Sequence, residues 1–306
     1  MKRLLVYFVC LMAFLTYSEN GYCQIGASYF QQGMEYDNAK DYENAAKCFA
    51  YSADRGHPGG LNMLGLYFMR GTALPRDPEK AITLFKAAAE RGESAAAYNV
   101  GRCYFDGDGV EKNYVEAKNW FSKAYDLGDK SDKVVNLYRQ ANNFINAEKG
   151  DAEAQWYVGI YYEHGINVEK DLVEAVKWYR KSAEQGYATG QKSLGDCYRN
   201  GDGVEKNYSD AVKWYRKAAD QGEQYAQEEL GECYLEGKGV EQDYAEAAKW
   251  FRKSAEQDNQ WAQYYLGECY LEGRGVAQDK TEAVKWLRKA AEQGYERAKE
   301  KLQSLE

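Results

Sequence analysis

The sequence predicts an all-α protein, an α-solenoid of about seven helix-turn-helix repeats of 36 residues each. Three residue series in one phase predict it. Gly65 and Gly101 lie 36 apart, and so do Gly159, Gly195, Gly231 and Gly267. Ala45, Ala81 and Ala117 form a second series that resumes at Ala175, Ala211, Ala247 and Ala283. Gly56, Gly92 and Gly128 form a third, which resumes at Gly150, Gly186 and Gly222, breaks at Asp258 and returns at Gly294. Self-similarity at a fixed period of this length marks a stacked array. The phase jumps once, by 22 residues, between Gly128 and Gly150.

The chain begins with Lys2 and Arg3 ahead of an apolar run from Leu4 to Phe14, which reads as a secretory signal peptide. Ser18, Glu19 and Asn20 stop the run short of the roughly 20 apolar residues a spanning helix needs. Small Gly21 and Cys23 place the cut after residue 23, and bulky Tyr22 disfavours the alternative, a lipid anchor on Cys23. The domains are therefore a cleaved segment 1–23 and a solenoid 24–306 that is exported, to a periplasm or the exterior. No later segment is long and apolar, so no membrane span is expected in the mature chain.

Each repeat reads as two helices. From Asp171 to Gln185, apolar Leu172, Ala175, Val176, Trp178, Tyr179 and Ala183 recur at spacings of three and four, a single stripe. Asp171 with Glu174 forms a capping box at its start, repeated by Asn113 with Glu116, Asp243 with Glu246 and Asp279 with Glu282. Pro78 sits at a first helical position, where its missing N–H is harmless. Gly186 and its equivalents supply the left-handed residue that ends the helix. The partner helix, such as Gln224–Glu236, runs into a Gly-x-Gly turn before the next box. Trp120, Trp178, Trp214, Trp250 and Trp286 share one position and are expected in the core. Neither helix can bury its stripe alone, so neighbouring pairs must stack. The segment at about 129–149 breaks the period, and Val134, Val135, Leu137, Tyr138, Ala141, Phe144 and Ile145 predict an extra, irregular helical insertion there.

Composition bounds the function. A net charge of −8 argues against nucleic-acid binding, which needs clustered Lys and Arg to displace counterions. An apolar share of 44% is too high for a disordered chain. Two histidines leave little room for His-based catalysis or zinc chemistry. Gly107-Asp108-Gly109 lacks the preceding strand and third glycine of a phosphate loop. Asp106 and Asp108 fail as a calcium loop because Val110 and Ala117 stand where oxygen ligands belong. His57 follows Gly56 at a helix start, and His164 ends a first helix without a nucleophile nearby in sequence. No cofactor and no metal are expected.

Cys103, Cys197, Cys233 and Cys269 occupy one repeat position. Adjacent repeats sit about 10 Å apart, beyond the roughly 7 Å limit for a disulfide, so these thiols and Cys48 are expected free and buried.

The run Ala262-Gln263-Tyr264-Tyr265-Leu266-Gly267, then Tyr270, Gly273, Gly275-Val276, Glu282-Ala283-Val284-Lys285-Trp286 and Ala290-Ala291-Glu292-Gln293-Gly294 resembles a Sel-1-like repeat. That family is a 36-residue relative of the tetratricopeptide repeat, and the likeness covers about residues 27 to 306. It implies a right-handed superhelix whose first helices line a concave face that binds peptides or proteins. The family's cysteine-rich branch, some members of which were described as penicillin-binding or β-lactamase-like, carries two cysteines per repeat. This chain has at most one in each, so that activity is not carried over.

On that resemblance, the inward residues of the early repeats include Phe30, Met34, Leu66, Met69, Tyr98, Arg102 and Phe105. The fourth contributes Trp156, Ile160, Glu163 and His164, and the sixth Tyr225, Glu228, Glu232, Leu235 and Glu236. The last full repeat adds Trp261, Tyr264, Glu268, Leu271 and Glu272. Aromatics supply contact area and carboxylates select a basic partner. The candidate partner-binding residues are therefore Tyr98, Arg102, Trp156, Tyr225, Glu228, Glu232, Glu236, Trp261, Tyr264, Glu268 and Glu272. The expected function is a non-catalytic, monomeric scaffold that binds a protein or a basic peptide. The alternatives are a cell-envelope hydrolase acting on peptide or glycan, and a structural spacer.

Overall fold

The structure is a computed structural model that describes residues 24–305, so the expected signal peptide at 1–23 lies outside the described residues. These hold sixteen helices and no strand. The first, α1, spans 24–38. It is followed by α2 (Tyr42–Asp54), α3 (Pro58–Arg70), α4 (Pro78–Glu90), α5 (Ser94–Asp106), α6 (Tyr114–Asp126) and α7 (Asp132–Glu148). Then come α8 (Ala152–His164), α9 (Leu172–Glu184), α10 (Ala188–Asn200), α11 (Tyr208–Asp220) and α12 (Gln224–Glu236). The chain continues through α13 (Tyr244–Ala255), α14 (Gln260–Glu272), α15 (Lys280–Glu292) and α16 (Glu296–Gln303). Successive helices pack on one another from α2 through α6 and again from α8 through α16, the connectivity of an α-solenoid. The helices divide into two compact units between Ile145 and Asn146.

The local signals act as their chemistry requires. Asp77, Asn113, Asp171, Asn207, Asp243 and Asp279 each accept from a backbone N–H of the first helical turn. His57 caps α3, its Nδ1 accepting from the Gly60 N–H at 3.2 Å. Where Gly186 and Gly222 end second helices at φ 91° and 92°, Asp258 takes the same left-handed region at φ 65°. Asp is one of the few non-glycine residues that visits this region readily, so the break in the glycine series leaves the turn intact.

The core in each repeat is a glycine on the first helix locked against a ring on the second. A Cβ at Gly101 would come within 2.6 Å of Phe121, and one at Gly195 within 2.6 Å of Tyr215. The same closeness joins Gly65 to Phe85 and Gly231 to Phe251, with Leu287 replacing the ring opposite Gly267. The tryptophan series lies one residue earlier. Trp250 and Trp286 are buried, whereas Trp120, Trp178 and Trp214 are only half-buried, each with a lysine ammonium over its indole. The ring that follows each tryptophan, not the tryptophan itself, fills the centre of the repeat.

Asn146–Glu306 carries a buried polar ladder that the 36-residue series does not reveal. Gln155, Gln191, Gln227 and Gln263 each donate from Nε2 to a carbonyl at the end of the preceding helix, those of Ala147, Ala183, Ala219 and Ala255. Their Oε1 atoms accept from Gln185, Gln221, Gln257 and Gln293 at the ends of the following second helices, at 2.7–2.9 Å. Each glutamine adds a side-chain donor to a helix-end carbonyl that also accepts a backbone N–H from the turn, as Ala183 does from Gly186 and Ala219 from Gly222. Ahead of Ile145, α7 packs through Phe144, which stacks on Tyr114 with centroids 4.1 Å apart and rings 3° from parallel. Past it, Ala147 offers the first carbonyl of the glutamine ladder. The irregular segment is thus an ordered helix of 17 residues.

Candidate functional site

Two of the expected partner-binding residues lie ahead of Ile145, both on α5. Tyr98 packs on Phe121 and carries the Lys133 ammonium 4.2 Å above its ring. Arg102 reaches Asp106 one turn on, at 2.7 Å. Phe105, expected to face inward to a groove, is instead buried against Tyr114, Phe121 and Phe144. Its ring is large enough to complete the apolar layer between α5, α6 and α7, so it presents no free surface.

The other nine lie on α8, α12 and α14. On α8, the Trp156 Nε1 donates to Ser193 Oγ at 3.0 Å, and the Glu163 carboxylate accepts from the Tyr179 hydroxyl at 2.5 Å. Tyr225 and Trp261 hold the same position on successive first helices, with ring centroids 6.2 Å apart. They are 43% and 39% exposed, so the pair presents a sizeable aromatic surface to solvent. Tyr264, one turn on from Trp261, is buried edge-on against Tyr265 and Tyr295.

The carboxylates behave differently from one another. Glu228 is only 9% exposed. Burial, followed by the neighbouring charges of Glu229 and Glu232, pushes its pKa up to about 9, so it carries its proton at neutral pH and hydrogen-bonds to Glu232. Glu232 also accepts from the Tyr265 hydroxyl. Glu236 pairs with Lys238 at 2.6 Å, Glu272 with Arg274 at 2.7 Å and Glu268 with Lys301 at 2.8 Å. Spacing alone puts Glu228, Glu232 and Glu236 in line as like charges. The fold answers them with a proton, a tyrosine and one cation, Lys238, and meets Glu268 and Glu272 with Lys301 and Arg274.

Residues outside the expected set complete the cluster. Glu229 is pushed up to about 7, chiefly by burial and against the pull of Arg199, with which it is paired. Lys192 bridges to Asp196 at 2.7 Å, and Asp196 accepts from the Tyr215 hydroxyl at 2.8 Å. Arg199, Glu229, Glu232 and Glu236 line a hollow of about 270 Å³ beside Tyr208. Glu229 adjoins the expected Glu228 on α12, and Lys192, Asp196 and Arg199 hold on α10 the repeat positions of Trp156, Ile160 and Glu163, so the 36-residue register is the signal that finds them. Among the described residues no group of three or more His, Cys, Asp or Glu is arranged to hold a metal ion. None of their helices is long and apolar enough to cross a membrane. The five cysteines among the described residues are free and buried.

Helix pairs stacked at a 36-residue period define a helical-repeat protein. The chain belongs to the Sel1 repeat family. The Sel1 repeat matches residues 22–57, 58–93, 94–129, 152–187, 188–223, 224–259 and 262–295. Proteins built on this repeat are generally non-catalytic scaffolds for protein interaction. Among solved structures, a Sel1 repeat protein from Oxalobacter formigenes is 30% identical, with a TM-score of 0.53, 97% of this chain and 90% of that one covered. A protective antigen of uropathogenic Escherichia coli strains displaying an SLR fold is 33% identical, with a TM-score of 0.52, 94% of this chain and 56% of that one covered. Among curated proteins, DAP3-binding cell death enhancer 1 of Rattus norvegicus is 31% identical over 157 residues. That match takes in 35% of this chain and spans 31% of the relative's length.

Proposed function

We propose that the protein is an exported, monomeric, non-catalytic scaffold that holds a protein or peptide partner against the first helices of its repeats. The observation that carries this reading is the Tyr225–Trp261 pair. Two large aromatics, stacked on neighbouring repeats and left substantially exposed, are the kind of rigid anchor that dominates protein interfaces. Glu232, Glu236, Glu268 and Glu272 lie further along the same two helices, the last three paired with Lys238, Lys301 and Arg274, and a basic partner can share their carboxylates. Tyr98 and Arg102 on α5, and Trp156 on α8, offer further aromatic and polar contacts. The exported location rests on the basic head and apolar run of residues 2–14.

The experiment is capture from cell-envelope extract with the chain starting at residue 24, compared with its Trp261→Ala and Glu232→Gln/Glu268→Gln variants. A specific partner should be retained by the parent chain. It should be lost with Trp261→Ala and weakened, with reduced salt sensitivity, by the two Gln changes. Full retention by all variants would place docking elsewhere.

A further inference from the structure

The second helices of Asn146–Glu306 repeat a different pattern, Lys-Trp-x-Arg-Lys: 177–181 in α9, 213–217 in α11, 249–253 in α13 and 285–289 in α15. The first lysine of each is taken up by a carboxylate three residues earlier, as Lys177 is by Glu174 and Lys249 by Glu246, both at 2.7 Å. The last lysine of each is not. Lys181, Lys217, Lys253 and Lys289 are exposed and lie 3.8–4.5 Å above the indoles of Trp178, Trp214, Trp250 and Trp286. No carboxylate of the described residues lies within ion-pair distance of these four. The arginines beside them, Arg180, Arg216 and Arg252, donate to the hydroxyls of Tyr198, Tyr234 and Tyr270, which are neutral, so their charge also stays uncompensated.

In a chain of net charge −8, this makes one cationic row with two charges per repeat, on helices other than those carrying the Tyr225–Trp261 pair. The tryptophans tie the row together, because Trp214 packs on the core of α9 and Trp250 on the core of α11. Beside Trp214 the surface opens into a hollow of about 520 Å³ whose lining sets Arg180, Lys213, Arg216 and Lys217 against the carboxylates of Asp210 and Asp220.

We infer that this row is a second interaction surface and that its occupant is an acidic, extended peptide segment of a partner protein. The charge of the occupant follows from complementarity with lysines and arginines that have no carboxylate of their own. Its form follows from the spacing. Cation pairs recur once per stacked repeat, about 10 Å apart, which an extended chain matches with a carboxylate every third residue at about 3.3 Å per residue. Duplex nucleic acid and anionic lipid are disfavoured because Glu184, Asp220, Glu256 and Glu292 interrupt the row, and a continuous anionic surface would meet each of them.

The test uses the chain from residue 24 and a labelled Glu- and Ala-containing peptide of about twelve residues, long enough to span four repeats. Binding should be strongly salt-dependent. It should weaken at least about tenfold when Lys181, Lys217, Lys253 and Lys289 are all replaced by Gln, since four surface charge pairs are lost. The corresponding Lys→Arg variant should bind as the parent does, which separates charge from folding, and Trp261→Ala should leave this binding unchanged. Equal affinity of the Gln variant and the parent would overturn the inference. So would equal weakening by Gln and Arg, or capture of phosphatidylglycerol vesicles or duplex DNA with the acidic peptide left unbound.

Discussion

Phe251 lies so close to Gly231 that a Cβ at position 231 would come within 2.6 Å of its ring. The glycine is there because the ring is there. Its cost to the helix, about 1 kcal/mol relative to alanine, is offset by the contact it permits. Gly231→Ala should therefore destabilise the array by about 1–2 kcal/mol net, overpacking outweighing the gain in helix propensity. Thermal melts followed by circular dichroism check it. Adding Phe251→Leu should recover part of the loss, since Leu287 already fills the equivalent place opposite Gly267.

The glutamine ladder should be non-additive. Gln227→Ala removes the donor to the Ala219 carbonyl and the acceptor for Gln257 at 2.9 Å. It should cost about 0.5–1.5 kcal/mol, because two side-chain hydrogen bonds are lost while the Ala219 carbonyl keeps the Gly222 N–H. Gln257→Ala in the Gln227→Ala background should cost much less than in the parent, and a double-mutant cycle by chemical denaturation measures the coupling.

The carboxyl pair Glu228 and Glu229 sets a pH dependence. Both are raised by burial from the ordinary value of 4.5, to about 9 and about 7. The native state therefore binds more protons than the unfolded chain across this window. Their contribution is fully present below about pH 4.5 and is lost as pH rises towards 9. Glu228→Gln should raise the melting point at pH 8 more than at pH 5, flattening the profile. Melts at the two pH values check it.

The thiols should be silent until the chain opens. Burial pushes Cys103, Cys197 and Cys233 up to about 12 and Cys269 to about 11, and the thiolate is the reactive form. The chain from residue 24 should show five titratable thiols in denaturant without reductant and almost none in native buffer at pH 8. Recovery of only one thiol in denaturant would mean that the four in register had oxidised.

The helices were legible because their signals are local. A capping Asp, a glycine beyond a helix end and an apolar stripe act within one or two turns, so reading Asp171, Gly186 and the Tyr179 stripe places α9 to within a residue. The candidate site was legible in position and not in state. Spacing puts Glu228, Glu232 and Glu236 on one helix face. It does not say that Glu236 meets Lys238, that Glu268 meets Lys301 from α16, or that Glu228 is buried deeply enough to hold its proton.

The sequence by itself determined the repeat, its period, its helix boundaries and its free, evenly placed cysteines, because each depends on residues close together in the chain. Only the tertiary structure decided which ring fills the repeat centre and that Phe105 is core. It alone showed that glutamines 30 residues apart bind one another and that Lys181, Lys217, Lys253 and Lys289 lie over indoles rather than in ion pairs. Those outcomes turn on distances between side chains on different helices. A charge or a polar group is neutralised, buried or left open by what packing brings beside it, and sequence spacing carries no such distance.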